Sequence, residues 1–417
     1  MRQRFSRREI FFLIFALAAG LTILGAFILM NAVVASRLKP GGDFLLPWRA
    51  ARAAFFEQAD PYTGMVPDFV QSQVYGRGAL QGEKPYILDT PLFLLLLYFP
   101  AGAVQSSLVV RALFLFLSEA ALLVLIILGL RLADWRPRLL YLALLFLLSA
   151  LSFYSLWSLI QGSPVLLLAI LYAGILLSLG AGRDELTGML MALCLAYWEV
   201  GGGFLILVVL WVISHSRWRV FLGMFMALFV LIVVSFFVEA GWALPWLRAI
   251  LASTHWHYGF SPASILARVW PEYGYQAGLG ISALLWLVLI LEWLAARRSD
   301  FRRLYWTACL TLAASPLLGW RGEIQNLAVL LLPQILILSI VRERWRAGYW
   351  LSATLLVLVC FLPWAVLLGG FVPAAYQQPL VFLFPPLFCV VGIYWIRWWA
   401  LRPARTWLER TATNGYR

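Results

Sequence analysis

The chain leaves its first apolar run at Gly41-Gly42-Asp43-Phe44-Leu45-Leu46-Pro47-Trp48-Arg49. This stretch opens the longest polar interval of the sequence, which continues through Asp60-Pro61-Tyr62 and Tyr86-Ile87-Leu88-Asp89-Thr90-Pro91. Charged residues are costly inside a membrane, so a membrane protein that places three carboxylates and several cations just past its first apolar run is expected to use them. We therefore interpret this interval as a candidate active-site loop.

Composition decides the protein class. Of the 417 residues, 63% are hydrophobic and only 12% are charged, and long apolar runs recur along the whole sequence. This pattern predicts an all-α polytopic membrane protein that forms a single transmembrane domain over residues 1–417. The net charge of +13 comes from arginines clustered between apolar runs, which indicates membrane topology rather than nucleic-acid binding. The four cysteines lie inside apolar runs, so we assign them to packing.

The apolar runs predict about twelve transmembrane helices. The first is interpreted as a signal anchor, because it is too long for a cleaved signal peptide. The pair at 186–214 is interrupted by Gly201-Gly202-Gly203. The predicted spans are 10–33, 107–130, 139–157, 164–180, 186–198, 200–214, 220–238, 277–296, 304–319, 324–341, 349–370 and 379–396.

The distribution of Lys and Arg predicts the orientation, since cytoplasmic loops carry the excess. With both termini cytoplasmic in a cell membrane, every predicted inner loop and the tail at 397–417 are basic. The remaining cations lie mostly in or beside the first outer loop, at 35–106, and a second outer loop covers 239–276. Cations kept on the outer side need a local partner, and an anionic ligand is one candidate.

The first outer loop is predicted to contain local structure. A helix over residues 48–58 would place Arg49 and Arg52 on one stripe and alanines on the opposite face. Asp60-Pro61-Tyr62-Thr63-Gly64 has the composition of a turn. Residues 91–99 are apolar but too few to span, which favours a re-entrant or interfacial helix ending at Pro100.

These motifs resemble glycosyltransferase family 87, a group of membrane glycosyltransferases with the GT-C fold related to polyprenol-phosphate-mannose-dependent mannosyltransferases. The resemblance rests on Gly-Asp-Phe (residues 42–44) with a following tryptophan and an Ala-Arg-Ala helix, then on Asp60-Pro61-Tyr62, Gln161-Gly162 and Ser315-Pro316. The chain departs from the family pattern at Asp89-Thr90-Pro91-Leu92, Glu199-Val200-Gly201 and Arg321-Gly322-Glu323.

The resemblance implies a GT-C fold, a polyprenyl-phosphate-linked sugar as donor, a lipid or glycan acceptor and an outer-face active site. It also implies an essential loop aspartate, which corresponds to Asp43. Such an enzyme orients an acceptor hydroxyl, accepts its proton and stabilises the departing phosphate, which inverts the anomeric carbon. Arginines can hold a lipid monophosphate without a metal, so no cofactor is predicted, although two carboxylates meeting in space would also suit a divalent ion.

Each loop carboxylate also has a simpler interpretation. Asp43 has the residue type of a helix N-cap, although Pro47 stands late for a helix that begins at Phe44. Asp60 is typical of an Asx turn before Pro61. Asp89 either caps the short helix or faces the same cavity as Asp43.

The predicted substrate-binding residues outside Asp43 are drawn from several outer segments. Arg268 and Arg321 are candidates for the lipid phosphate, with snorkelling to headgroups as the alternative. Glu119 lies near mid-span, where a carboxylate needs a hydrogen-bonded partner or a proton. The full predicted set is Arg49, Arg52, Asp60, Tyr62, Asp89, Gln161, Glu199, Arg268 and Arg321.

Two other functions fit the same pattern. A lipid-linked sugar flippase or secondary transporter would also have many spans and an anion-friendly cavity, but such proteins usually carry repeated halves with matching helix breaks. Here one break, at Gly201, has no counterpart in the other half. A catalytically inactive GT-C scaffold that binds a lipid-linked glycan is the third possibility.

Overall fold

A computed structural model describes Thr22 and residues 24–80, 82–253, 255, 259–319 and 322–401. The predicted N-terminal arm, most of the first span, most of the basic tail and Arg321 lie outside these residues. Within them, regular structure is helical apart from one isolated antiparallel bridge between Phe260 and Gly322. The all-helical prediction is therefore confirmed for the described part of the chain.

The helices are numbered α1 to α20 in chain order, and short 3₁₀ segments extend several of them. Their bounds are α1 Leu24–Arg37, α2 Gly42–Phe56, α3 Met65–Tyr75, α4 Leu92–Leu95, α5 Phe99–Gly102, α6 Ser107–Leu132, α7 Leu139–Leu151, α8 Phe153–Gln161, α9 Val165–Gly180, α10 Asp184–Cys194, α11 Trp198–Ser214, α12 Trp218–Val238, α13 Ala243–Ser253, α14 Pro262–Val269, α15 Gly274–Ala296, α16 Phe301–Ala314, α17 Leu331–Arg344, α18 Gly348–Leu368, α19 Ala374–Trp395 and α20 Arg397–Ala400.

Seven helices of the described residues are long and apolar enough to cross a membrane, and the pair α7 and α8, bent by 47°, makes up to eight. The seven are Ser107–Leu132, Asp184–Ser214, Trp218–Val238, Gly274–Ala296, Ile324–Arg344, Gly348–Leu368 and Ala374–Trp395. These runs match the length that a hydrocarbon core requires. The chain is a membrane-embedded helical protein, while the predicted number of twelve crossings is larger than this set.

The run Asp184–Ser214 turns back on itself. At one end, Asp184 forms an ion pair with Arg217, which follows α11 and also donates to the carbonyl of Leu179 at 2.9 Å. In the middle, the Tyr197 hydroxyl lies 3.0 Å from that of Tyr98. A 3₁₀ turn at Leu195–Tyr197 and a non-helical glycine, Gly201 (φ −136°), reverse the direction. The two ends of the run therefore lie on the same side of the bundle.

Helices α16 and α17 form the centre of the bundle. Every residue of α16 is buried, and so is every residue of α17 from Leu331 to Val341. By contrast, α12 presents Phe225, Phe229 and Phe237 to the surroundings, with the Phe237 side chain 86% exposed. Exposed aromatic and aliphatic side chains at this density suit a lipid environment, where they have no hydration penalty.

The segment after α1 folds onto one end of the bundle with its own hydrophobic core. This core includes Phe44 and Trp48 from α2, Val66 and Val70 from α3, and Leu92 from α4. The Trp48 indole N–H donates to the carbonyl of Ala101 at 3.0 Å, which fixes α2 against α5. We call this side the Asp43 end and the other side the opposite end.

Two predicted elements of this segment differ from the observed ones. The helix expected over 48–58 begins six residues earlier, at Gly42, and keeps Pro47 inside it. The proline lacks the N–H that would bond the carbonyl of Asp43, so one helix hydrogen bond is lost in the second turn. The apolar helix expected to end at Pro100 continues through a 3₁₀ turn at Leu96–Tyr98 into α5, and Pro100 stands in its first turn, where proline is tolerated.

Candidate active site

Asp43 lies in the first turn of α2, but it does not cap the helix. The N-cap is Gly41, which has an extended backbone (φ −79°, ψ 142°). The Asp43 carboxylate instead accepts from Lys84 Nζ at 2.9 Å through Oδ1 and from Gln325 Nε2 at 3.0 Å through Oδ2. The N-cap alternative for Asp43 is therefore wrong, because its side chain points away from the helix amides.

Glu323 joins Asp43 through the same two partners. Lys84 Nζ lies 2.8 Å from Glu323 Oε1, and the Gln325 amide also donates to Glu323. The Asp43 and Glu323 side chains are only 8% and 13% exposed, whereas Lys84 is 27% exposed. We call Asp43, Lys84, Glu323 and Gln325 the carboxylate cluster.

The charges of the carboxylate cluster do not balance, since two carboxylates share one ammonium. Burial raises the pKa of the Glu323 carboxyl, the Lys84 ammonium opposes this increase, and the Asp43 carboxylate adds to it. Two neighbouring carboxylates disfavour the ionised form, which agrees with the direction of the shift at Glu323. The arrangement thus places a carboxyl with a raised pKa beside the Asp43 carboxylate, with Lys84 and Gln325 in contact with both.

Close backbone approaches set the position of Asp43. A Cβ on Gly41 would lie 2.1 Å from the Gln161 carbonyl oxygen, and a Cβ on Gly42 would lie 2.1 Å from the Tyr86 ring. Only glycine fits both positions without displacing these groups. The Lys84 ammonium lies 5.6 Å from the Tyr86 ring centroid, so the same tyrosine that packs on Gly42 also orients the lysine.

The turn that carries Glu323 is fixed by the isolated bridge. Phe260 and Gly322 exchange two backbone hydrogen bonds, at 2.7 and 2.9 Å. The Phe260 ring stacks on Phe382 at 5.3 Å, and the Arg268 guanidinium lies 5.6 Å from the Phe260 ring centroid. The segment before α14 is thereby tied to the residue next to Glu323.

An apolar cavity of about 430 Å³ lies beside the carboxylate cluster. Phe44, the residue after Asp43, lines it and stacks on Phe114 at 4.0 Å. The hydroxyl pair of Tyr98 and Tyr197 is also part of its wall. The other lining residues are Leu97, Pro100, Ala101, Val104, Val110, Leu113, Leu117, Pro164, Leu167, Leu168, Leu171, Leu193 and Ala196. The cavity suits a hydrocarbon chain, because its wall is almost entirely apolar.

Arg49 and Arg52, predicted to bind substrate, are paired within the chain. Arg49 lies 2.6 Å from Glu57 and Arg52 lies 2.9 Å from the same carboxylate. Arg52 also donates to the carbonyl of Gly102 at 3.3 Å. These outer cations thus have a local partner within the chain, Glu57 at the C-cap of α2.

Asp60 and Tyr62 form the turn that the sequence predicts. The Asp60 carboxylate accepts from the backbone N–H of Tyr62 at 2.9 Å, and the Tyr62 hydroxyl donates to the carbonyl of Thr90 at 3.0 Å. These bonds connect the turn to the segment that precedes α4. The Asx-turn interpretation of Asp60 is confirmed.

Asp89 is exposed and lies two residues before Pro91. Pro91, rather than Asp89, is the N-cap residue of α4. Its backbone carbonyl accepts from the Trp246 indole at 2.7 Å, which anchors the start of α4 to α13.

Three other predicted residues lie around the carboxylate cluster, and one lies outside the described residues. Gln161 ends α8 with its backbone against Gly41. Glu199 lines a water-sized cavity of about 20 Å³ that Glu323 also lines. Arg268 is exposed and reaches the Glu323 turn through Phe260. Arg321 is among the residues that the structure does not describe.

Lys84, Glu323 and Gln325 were not among the predicted site residues. The signals available were weak, because Lys84 was one of several cations in the first loop and Glu323 stood in a turn that departed from the family pattern. Within the described ranges, no group of three or more His, Cys, Asp or Glu residues is arranged to hold a metal ion.

Comparisons of the chain with protein-family models, with curated proteins and with solved structures found no match. The function must therefore be argued from the geometry of the site.

Proposed function

We propose that the protein is a membrane glycosyltransferase of the GT-C type, which transfers a sugar from a polyprenyl-phosphate donor to a hydroxyl of a lipid or glycan acceptor. One observation carries this proposal. Asp43 and Phe44 are consecutive residues, and the first belongs to the carboxylate cluster whereas the second lines the apolar cavity. A substrate with a polar reacting head and a hydrocarbon tail would meet both surfaces at once.

In the proposed reaction, Asp43 is the base. The acceptor hydroxyl oxygen attacks the anomeric carbon and its proton passes to the Asp43 carboxylate, while the bond to the lipid phosphate breaks. The ammonium of Lys84, 2.9 Å from Asp43, is the cation that would stabilise the departing phosphate, and this role needs no metal. Single displacement inverts the anomeric centre. Gln325 keeps Asp43 oriented by donating to its second oxygen.

Twelve crossings are part of the proposal. The run Asp184–Ser214 counts twice, because Asp184 and Arg217 meet at one end. α1, the bent pair α7 and α8, α9 and α16 contribute further crossings beyond the long helices. With the arginine-rich loops on the cytoplasmic side of a cell membrane, both termini are cytoplasmic and the Asp43 end faces outward. A polyprenyl-phosphate sugar would then react on the outer face.

The test is sugar transfer in membranes supplied with a polyprenyl-phosphate sugar. Asp43→Asn keeps the size and the hydrogen bond to Lys84 but cannot accept the proton, so we expect transfer to fall by about 10²-fold or more. Asp60→Asn is the matched control, because an asparagine oxygen still accepts from the Tyr62 amide. If wild type and Asp43→Asn transfer sugar at equal rates, Asp43 is not the base.

The competing functions give different results in the same preparation. A flippase would move lipid-linked sugar across vesicles at a rate that Asp43→Asn leaves unchanged. An inactive scaffold would bind the lipid-linked sugar with no transfer by the wild-type protein.

A further inference from the structure

At the opposite end of the bundle, two arginines lie against one tyrosine. The Arg138 guanidinium, at the start of α7, lies 5.1 Å from the Tyr349 ring centroid, and that of Arg342, in the last turn of α17, lies 4.8 Å from it. Arg342 also donates to the Tyr349 hydroxyl at 2.9 Å. Arg342 and Tyr349 are seven residues apart in sequence, and Arg138 from a distant segment brings a second positive charge to the same ring. We call Arg138, Arg342 and Tyr349 the arginine pair site.

The arginine pair site differs from three arginines at this end that pair with carboxylates. Arg303 and Arg397 both pair with Glu292, and Arg217 pairs with Asp184. In the described part of the chain, the partners of Arg138 and Arg342 are aromatic and hydroxyl groups, with no carboxylate. Two guanidinium groups that lie against one ring repel each other, and an anion bound close to both would reduce that repulsion.

A buried donor lies two ring contacts away from Tyr349. Tyr349 contacts Tyr141 at 6.0 Å, and Tyr141 contacts Trp135 at 5.2 Å. Trp135 is 5% exposed, and its indole N–H has no hydrogen-bond acceptor among the described residues. A buried donor without an acceptor is costly unless a ligand or water supplies one.

The surroundings of the site are apolar and exposed. Leu139 and Leu140, directly after Arg138, are 81% and 84% exposed, and Trp350, directly after Tyr349, is 81% exposed. Apolar side chains this exposed at the end of membrane helices contact acyl chains, and tryptophan is typical of the interface. A ligand bound here would therefore have an anionic head and an apolar body.

We propose that the arginine pair site binds the phosphate headgroup of an anionic phospholipid, with the guanidinium groups of Arg138 and Arg342 as its ligands. Basic pockets between membrane helices bind such headgroups, and arginine forms two parallel bonds to phosphate. The site lies away from Asp43, so the proposal is independent of sugar transfer. The bound lipid would link α7, α17 and α18 at this end of the bundle.

The test measures the thermal unfolding midpoint of the purified full-length protein in detergent against added lipid. Phosphatidylglycerol should raise the midpoint of wild type in a saturable manner. Arg138→Gln should need about fivefold more lipid than wild type to reach half of the maximal midpoint shift. The double variant, Arg138→Gln with Arg342→Gln, should need about 25-fold more. These ratios correspond to roughly 1 kcal/mol of binding free energy for each arginine. Arg219→Gln is the matched control. Arg219 is 78% exposed, and its ion pair with Glu185 is long, at 3.9 Å, so its removal should not change stability. It should respond as wild type does.

The probes separate the sources of phosphate. Inorganic phosphate at matched concentration should give no saturable shift, and phosphatidylcholine should give the same shift in wild type and the double variant. The proposal is overturned if the double variant responds to phosphatidylglycerol as wild type does. It is also overturned if inorganic phosphate reproduces the wild-type response, since the site would then take a free anion. Arg138 is exposed, so Arg138→Gln alone remains informative if the double variant fails to fold.

Discussion

The Lys84 ammonium lies 2.9 Å from Asp43 Oδ1, at a separation of 41 residues in sequence, and the same ammonium contacts Glu323. One cation thus holds two carboxylates from opposite parts of the chain. The arrangement joins the folded first loop to the start of the central helix run, so the stability of the protein and the state of Asp43 depend on the same contact.

Lys84→Met tests this contact. Removing the ammonium leaves two poorly exposed carboxylates without a cation, so we expect a loss of about 2 kcal/mol in the free energy of unfolding. This is less than a fully buried pair would give, because Lys84 keeps partial solvent access. The measurement is chemical unfolding in detergent. Arg77→Met, which breaks the exposed pair with Glu83, should change little by comparison. A Lys84→Met protein as stable as wild type would contradict the structural role.

Glu323 should make stability depend on pH. Burial raises its pKa above the ordinary 4.5 in the folded protein, so the folded state binds the proton more tightly than the unfolded state. The stabilisation is present below pH 4.5 and is lost as pH rises through the folded-state pKa. Glu323→Gln removes this term, so its unfolding midpoint should rise relative to wild type as pH increases above 4.5. If the unfolding midpoints of wild type and Glu323→Gln change in parallel between about pH 4 and 8, folding does not raise the pKa of Glu323.

Gly41 and Gly42 should respond differently to alanine. A Cβ at Gly41 meets the Gln161 backbone, which cannot rotate away, whereas a Cβ at Gly42 meets the Tyr86 side chain. We expect Gly41→Ala to cost about 1–3 kcal/mol through overpacking, and Gly42→Ala to cost less while displacing Tyr86. Gly25→Ala, with nothing within 4 Å of the added methyl, is the control and should be neutral or slightly stabilising. If Gly25→Ala and Gly41→Ala change the free energy of unfolding equally, Gly41 does not approach the Gln161 backbone closely.

The pair of Asn31 and Glu119 should stabilise the contact between α1 and α6. The Asn31 amide donates to Glu119 at 2.8 Å, and Asn31 is 2% exposed. Asn31→Leu removes the donor, so we expect a loss of about 1 kcal/mol in unfolding experiments in detergent. Glu119→Gln keeps an acceptor oxygen and should stay close to wild type. A larger loss for Glu119→Gln than for Asn31→Leu would mean that the charge itself is needed.

Glu57 should matter for local stability and not for transfer. Burial opposes ionisation of its carboxyl, but hydrogen bonds and charge from Arg49 and Arg52 lower its pKa overall. Glu57→Gln should therefore cost about 0.5–1 kcal/mol, an effect that shrinks as salt is added. We expect sugar transfer by Glu57→Gln to equal that of wild type. A strong loss of sugar transfer in Glu57→Gln would support a role for Arg49 and Arg52 in substrate binding.

Several local features were readable from the sequence. The apolar runs predicted a helical membrane protein, and the Asp-Pro-Tyr pattern predicted the Asx turn at Asp60, which is present. The carboxylate of Glu119 was expected to have a hydrogen-bonded partner, which is Asn31. The cysteines were assigned to packing, and all four are buried and free. Each of these features depends on residue type, local order or the cost of burying charge in lipid, so no tertiary information was needed.

The sequence by itself determined the membrane class and the polar interval that contains Asp43, because a polar interval in an apolar chain is visible without a fold. Within that interval, the resemblance to a known family selected Asp43. Only the tertiary structure decided what surrounds Asp43. Gln325 is 282 residues away, and Lys84 and Glu323 come from different ends of the chain. Helical periodicity reports neighbours within a few residues, so it cannot predict which distant side chains meet. For the same reason Arg49 and Arg52, adjacent to Asp43 in sequence, turned out to pair with Glu57, since helix geometry directs them away from the carboxylate cluster.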